Sequence, residues 1–160
     1  MVEASTGLII RDAKPEDSVA MHRIFLSAIW EIEDSFYNQA QKLAWENAVQ
    51  ADSWTTRMIE LAFIVAVKQD EVVGFASWSD TKLEHLYVAP SYGRQGIGSA
   101  LLNEVLSHFS ERDIELIASN NAHAFYTKIG FADEEQLIKQ LGPVDVPCIR
   151  MKRPSVLTET

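Results

Sequence analysis

The stretch YGRQGIGSALLNEVL, residues 92–106, sets Gly93, Arg94, Gly96 and Gly98 directly in front of an apolar-striped segment. Ile97, Leu101, Leu102, Val105, Leu106 and Phe109 recur at the spacing of one helical face, so the glycines precede a helix N-terminus. The first N–H groups of a helix lack intrahelical acceptors, and that end carries about half an elementary positive charge. Glycine permits positive φ and lets a ligand approach the backbone without a Cβ in the way. With Arg94 adding a fixed charge, the pattern suits a phosphate-bearing ligand. The plainer alternative is a glycine-rich turn that merely joins a strand to a helix. Two familiar phosphate loops do not fit. A Walker loop needs Lys followed by Ser or Thr after its last glycine, whereas Ile97 and Ser99 flank Gly98. A dinucleotide fingerprint needs a third glycine where Leu101 stands, and Glu115, about 20 residues downstream, comes early in its strand.

The elements that must hold this loop are legible from periodicity. GLIIR (7–11) reads as a strand. Pro15, Glu16 and Asp17 then suit the first turn of a helix whose core face is Met21, Ile24, Phe25 and Ala28. A second helix is expected over about 38–50, with Ala40, Leu43, Ala44 and Ala48, and a third after Asp52 as N-cap. AFIVAVK (62–68) is nearly all apolar, as in a strand covered on both faces. VVGFASWS (72–79), KLEHLYV (82–88) and IELIA (114–118) follow as strands, AHAFYTKI (122–129) as a helix ended by Gly130, and two further strands close the chain near 133–139 and 146–152. Consecutive strands with helices around them predict an α/β (α+β) fold built on one mixed sheet.

Composition narrows the class. The 160 residues are 47% hydrophobic and 23% charged, ordinary for a soluble globular protein, and no apolar run approaches a membrane span. One domain is expected over 1–153, with a frayed tail at 154–160. A formal net charge of −9 argues against nucleic acid as a partner and suits a cationic small molecule. The N-terminus does not read as a signal peptide, and the lone Cys148 cannot form an internal disulfide, so a cytoplasmic location is expected.

LYVAPSYGRQGIGSALL followed by IELIASNNAHAFYTKIGF resembles the GNAT superfamily of acyl-CoA-dependent N-acyltransferases, and within it the YafP-like bacterial branch. The likeness runs from IRDAKPED through YNQAQKLAW to PCIRMKR, essentially the whole chain. It implies a mostly antiparallel sheet of six to seven strands, flanked by four to five helices, in which the parallel strands 82–88 and 114–118 splay apart. Acetyl-CoA would lie in that opening as acyl donor, with no metal. By the same resemblance Leu86, Tyr87 and Val88 would face the pantetheine, and the amides of Arg94, Gln95, Gly96, Ile97, Gly98 and Ser99 would hold the pyrophosphate. Ser119, Asn121 and Phe125 would complete the cofactor contacts, with helix capping as the safer reading for Ser119. The family commonly has Gln or Arg where Gly93 stands, so Arg94 is expected to compensate.

Acyl transfer to an amine requires a neutral amine, a donor for the tetrahedral oxyanion, and a proton or strong hydrogen bond for the departing thiolate. The resemblance assigns the last task to Tyr126, although Ala122, Phe125, Tyr126 and Ile129 also form an apolar helical face. For the base it favours Glu84, with His85 second; strand alternation sends the two to opposite faces. The acceptor is a small-molecule or peptide amine. Glu31, Glu33 and Asp34 beside Trp30, Phe36 and Tyr37 would suit a cationic one, or would form a solvated acidic loop. Trp45, Trp54 and Trp78 are read as packing residues. Cys148, placed in the last strand away from both motifs, argues for direct transfer without a covalent intermediate. The resemblance also allows a homodimer. The rival readings are a non-catalytic acyl-CoA sensor and a dinucleotide-binding protein.

Overall fold

The computed structural model describes residues 2–3 and 7–155. Its strands are β1 (Val2–Glu3), β2 (Ile9–Asp12), β3 (Ala62–Lys68), β4 (Glu71–Trp78), β5 (Leu83–Val88), β6 (Ile114–Ser119), β7 (Ala132–Leu141) and β8 (Val144–Arg153). The helices are α1 (Ser18–Trp30), α2 (Gln39–Ala48), α3 (Ser53–Glu60), α4 (Ile97–Leu106) and α5 (His123–Lys128). Strands β1 to β5 form an antiparallel sheet in sequence order; β6, β8 and β7 form a second antiparallel sheet. The two meet at one parallel bridge, Lys82 with Glu115, backed by Glu115 N–H donating to the Thr81 carbonyl at 2.9 Å. The expected splayed parallel pair is therefore β5 and β6. Among the described residues no helix is long and apolar enough to cross a membrane.

Two apolar clusters cover the larger sheet. Strand β3 alternates between them, with Ile64 and Ala66 in one, Phe63 and Val65 in the other, as its unbroken apolar run requires. The first cluster packs Ile97, Leu101, Leu102 and Val105 of α4 against β4 and β6. The second packs Met21, Ile24, Phe25 and Ile29 of α1 and Trp54 of α3 against Phe63, Val65 and Phe75.

The register of β5 changes at one residue. Ser77 of β4 faces His85 and the next residue, Trp78, faces Leu83, which leaves Glu84 as an extra, bulged residue. Side-chain parity shifts there: Leu83 joins Leu86 and Val88 in the first cluster despite the odd spacing, while Tyr87 packs on the second. The bulge interrupts strict alternation along β5, since Leu83 and His85, two residues apart, pack on different clusters.

Other expectations are corrected. Helix α2 leaves Ala40, Leu43 and Ala48 exposed and buries Lys42. This is tolerated because the Lys42 ammonium bonds the Ile32 carbonyl and, at 3.0 Å, the Asp34 carboxylate. Asp52 does not cap α3 with its side chain; Asn38 caps α2, accepting from Gln41 N–H at 2.9 Å. The tail expected to fray from Pro154 is anchored at Ser155, which is buried with its N–H on Asp113 Oδ1 and its hydroxyl on the Ser110 carbonyl. Residues 156–160 lie outside the described residues.

Pro15, Glu16 and Asp17 form a single 3-10 turn ahead of α1. Asp17 is buried there, accepting from both Arg11 guanidinium nitrogens at 2.8 and 3.0 Å and from Lys14 N–H at 2.8 Å. The Arg11 hydrogen bonds hold its carboxyl below the usual value of 3.8. A depressed folded-state pKa gives stability that is present above the unfolded value and lost as pH falls through the folded one. Asp17→Ala is expected to lower unfolding free energy by about 2 kcal/mol near neutral pH. In urea titrations its deficit relative to the parent should shrink as pH drops below about 3.8 and on through the lowered folded-state value.

Candidate active site

Past the Lys82–Glu115 bridge, β5 and β6 have no ladder with one another, so both present unpaired edges to the gap. The gap is a cavity of about 90 Å³ lined by Glu84, His85, Leu86 and Tyr87 on one side and Leu116 to Ser119 on the other. Ala122 and Tyr126 from the α5 side and Trp45 from α2 close it. Tyr126 is 7% exposed, its ring edge-on to Phe125 at 5.2 Å and to Phe131 at 5.7 Å. Its hydroxyl makes no hydrogen bond among the described residues, and burial pushes the phenol above its ordinary pKa, so it is a protonated donor facing the cleft. The packing reading of Tyr126 holds, and the uncommitted hydroxyl leaves the donor reading open.

Directly after β5, Pro90–Tyr92 make a 3-10 turn, and the chain then enters α4; Arg94 to Ser99 border neither this gap nor the larger cavity that continues from it. Positive φ occurs at Arg94 (61°) and Gly96 (78°), not at Gly93, whose backbone is extended. The first backbone N–H of the segment to find an acceptor is that of Ala100, on the Gly96 carbonyl at 2.9 Å. The six before it, Arg94 to Ser99, donate to nothing among the described residues, and all but Ile97 and Gly98 are exposed. No side chain of the described residues accepts from them. Lys68, a residue the sequence gave no reason to single out, reaches Gln95 Oε1 at 2.7 Å and adds a second cation beside Arg94. A Cβ built on Gly98 would lie 3.6 Å from Phe125 and 3.7 Å from Val88, which places both residues beside the first turn of α4.

A second cavity, about 280 Å³, continues from the gap toward α1, α2 and β7. Glu84, His85, Tyr87, Trp45, Ile117 and Ser119 border both spaces; Phe25, Tyr37, Arg57, Lys139 and Cys148 border the second. Tyr37 donates its hydroxyl proton to the Pro147 carbonyl at 2.6 Å and accepts from Asn120 N–H at 2.8 Å, tying the α1–α2 connection to the ends of β6 and β8. His85 is fully engaged. Arg57 Nη1 lies 2.8 Å from its Nε2 and can only donate, so the ring proton sits on Nδ1 and goes to Ser77 Oγ at 2.6 Å. Burial, then the nearby Arg57 and Lys139 charges, lower the His85 pKa to about 3.

Glu31, Glu33 and Asp34 are exposed and border neither cavity, so the acidic cluster is the solvated loop of the two readings. Trp54 and Trp78 pack as expected, but Trp45 borders both spaces. Cys148 is not remote: it pairs with Ser119 across β6 and β8 and borders the second cavity, since strand neighbours are set by the ladder, not by sequence distance. Burial raises its thiol pKa, which disfavours the nucleophilic thiolate. Ser119 makes no side-chain cap, and exposed Asn121 borders neither space.

Residues 33–151 match the family model for the acetyltransferase (GNAT) domain. The chain is 30% identical over 131 residues to the N-acetyltransferase YafP of Escherichia coli (strain K12), covering 82% of this chain and 83% of that protein. Its fold is similar to that of a GCN5-related N-acetyltransferase from Rhodopseudomonas palustris, with a TM-score of 0.85 at 24% identity over 96% of this chain and 98% of that one. It is also similar to PaiA N-acetyltransferase from Thermoplasma acidophilum in complex with coenzyme A, with a TM-score of 0.73 at 17% identity over 92% and 98% of the two chains. YncA of Salmonella typhimurium, solved with its cofactor acetyl-CoA, has a TM-score of 0.65 at 18% identity over 92% and 94%. The family match, the relative and the splayed cleft agree: this chain belongs to the GNAT family of acetyltransferases.

Proposed function

We propose that the protein moves an acetyl group from acetyl-CoA to a primary amine by direct attack of the amine on the thioester carbonyl. The observation that carries this reading is the run of six acceptor-free N–H groups, Arg94 to Ser99, in the loop that follows β5, whose edge toward β6 is unpaired. A pyrophosphate matches the loop, because oxygen acceptors satisfy several N–H groups at once and Arg94 and Lys68 offset the charge. A pantetheine arm, with two amides in sequence, matches the open edge of β5 at Leu86, Tyr87 and Val88. Coenzyme A and acetyl-CoA complexes of structurally similar acetyltransferases support the same donor.

In this reading the amine nitrogen attacks the thioester carbon, and the tetrahedral oxyanion is met by a backbone N–H on the open β5 edge. Collapse breaks the carbon–sulfur bond, and Tyr126 gives the departing sulfur its hydrogen bond. Glu84, exposed at the bulge and bordering both cavities, takes the amine proton. His85 is a positioning residue, since a ring neutral above about pH 3 with both nitrogens occupied has no free site for a proton. Cys148, with its raised pKa, takes no part in group transfer.

Four outcomes test this reading. Tyr126→Phe should lower kcat about 100-fold, the ordinary range for a lost proton donor, with acetyl-CoA affinity by calorimetry retained. Unchanged turnover would remove Tyr126 from the chemistry. In pH profiles of kcat/KM, Glu84→Gln should lose the acidic limb and His85→Gln should keep it; the reverse pattern would exchange the two. Gly96→Ala meets nothing within 4 Å, but its φ of 78° costs an L-residue about 1–2 kcal/mol. Its KM for acetyl-CoA should rise while a shift in thermal midpoint reports the strain. Thiol release across an amine panel decides between enzyme and sensor: acetyl-CoA binding without turnover of any amine would favour the sensor.

A further inference from the structure

The second cavity carries charges opposite to those that the protein's net charge of −9 would lead one to expect. Its only formal cations, Arg57 and Lys139, form no ion pair with any carboxylate among the described residues, and neither does Glu84 on the wall between the two spaces. Arg57 is half-buried in the last turn of α3, its guanidinium over the Trp54 ring at 5.9 Å. One of its N–H groups goes to His85, and the other donors of the fork remain for a ligand. Lys139, on β7, lines the same cavity, and its charge, like that of Arg57, acts on His85. The remaining walls include Phe25, Tyr37, Trp45, Val49, Leu141 and Val146, which are aromatic or aliphatic.

We infer that the acceptor carries a carboxylate beside its amine, an amino acid with an apolar or aromatic side chain, with Arg57 and Lys139 receiving the carboxylate and Glu84 facing the amine. The inference rests on the acetyl-transfer reading above and names its substrate class. Two unpaired cations and one unpaired carboxylate along an otherwise apolar cavity are the complement of an ammonium–carboxylate pair on an apolar body. A purely cationic acceptor would face Arg57 and Lys139 with no compensating anion beyond Glu84. The surplus of surface carboxylates acts weakly on the cavity, because exposed charges farther than about 10 Å away are screened.

Phenylalanine, leucine, methionine and tryptophan, each beside its carboxamide and its decarboxylated amine, serve as probes in a thiol-release assay with acetyl-CoA. The carboxylate members should have kcat/KM at least about 10-fold above their partners, the discrimination that one charge-assisted hydrogen-bonded pair gives. The carboxamides have the less basic amines, so a preference for the carboxylate runs against amine neutralisation. Arg57→Met and Lys139→Met should each cut the carboxylate-to-carboxamide ratio several-fold, mainly through KM. Lys139 is exposed and outside the core, which keeps the test independent of any effect of Arg57 on His85. Calorimetric binding of acetyl-CoA is measured on every variant. Carboxylates turned over no better than their carboxamides or amines, zero turnover included, while acetyl-CoA binds, would overturn the carboxylate inference alone. No acetyl-CoA binding by the parent would overturn the donor reading as well.

Discussion

The molecule depends on a single failure of strand pairing. β5 and β6 run together at Lys82 and Glu115 and then part, leaving backbone donors and acceptors without partners on two facing edges. Unpaired edges invite closure, and three features hold them open. The bulge at Glu84 turns β5 away from a flat course. Tyr126 and Trp45 line the gap between the two strands. Tyr37 pins the far ends of β6 and β8 through Asn120 and Pro147. The bulge does a second task, since the same extra residue that bends the strand sets Glu84 beside the gap.

Local electrostatics run against the global balance. The chain carries 23 acidic and 14 basic residues, yet Arg94 and Lys68 stand beside six open amides in the loop after β5, and the second cavity has Arg57 and Lys139. Acidic side chains of the α1–α2 connection are turned to solvent, and Asp34 is held there by Lys42. His85 shows how the cations act on the protein itself. Burial and the Arg57 and Lys139 charges keep it neutral, so it fixes the Arg57 guanidinium instead of competing for a proton. Net charge thus described the outer surface, and the sites depend on which few cations the fold brings inward.

The sequence was most legible where one periodicity governed one element. The apolar run 62–68, the stripe of α4 and the face of α1 each mapped to the predicted core because packing was their only role. The glycine loop was legible in outcome but not in detail: Arg94 takes a positive φ while Gly93 does not. Helix α2 formed where expected, but its buried lysine gave no signal, because the aliphatic stem of Lys42 can be buried once its ammonium finds the Ile32 carbonyl and Asp34. The bulge at Glu84 left no mark in local composition, since one extra strand residue looks like any other until the register with β4 is known. Arg57, Lys139 and Cys148 were invisible for a related reason: they come from α3, β7 and β8 and meet only through the tertiary fold.

The surroundings of Tyr126 constrain how a proton can travel in the proposed transfer. Burial opposes its phenolate, and the adjacent Tyr87 phenol opposes it further. A free tyrosinate left behind after full donation would therefore be costly in the cleft. Sulfur, however, needs most help while the carbon–sulfur bond is breaking, before a separate thiolate exists. A buried neutral phenol with an uncommitted O–H meets that need, because its hydrogen bond strengthens as charge builds on sulfur and requires no new orientation. Proton transfer then has to run with bond cleavage and with return of a proton to the phenol. The attacking amine releases one proton in the same step, so the balance closes without a persistent tyrosinate. Glu84 and Tyr126 border the same gap, as this coupled movement requires.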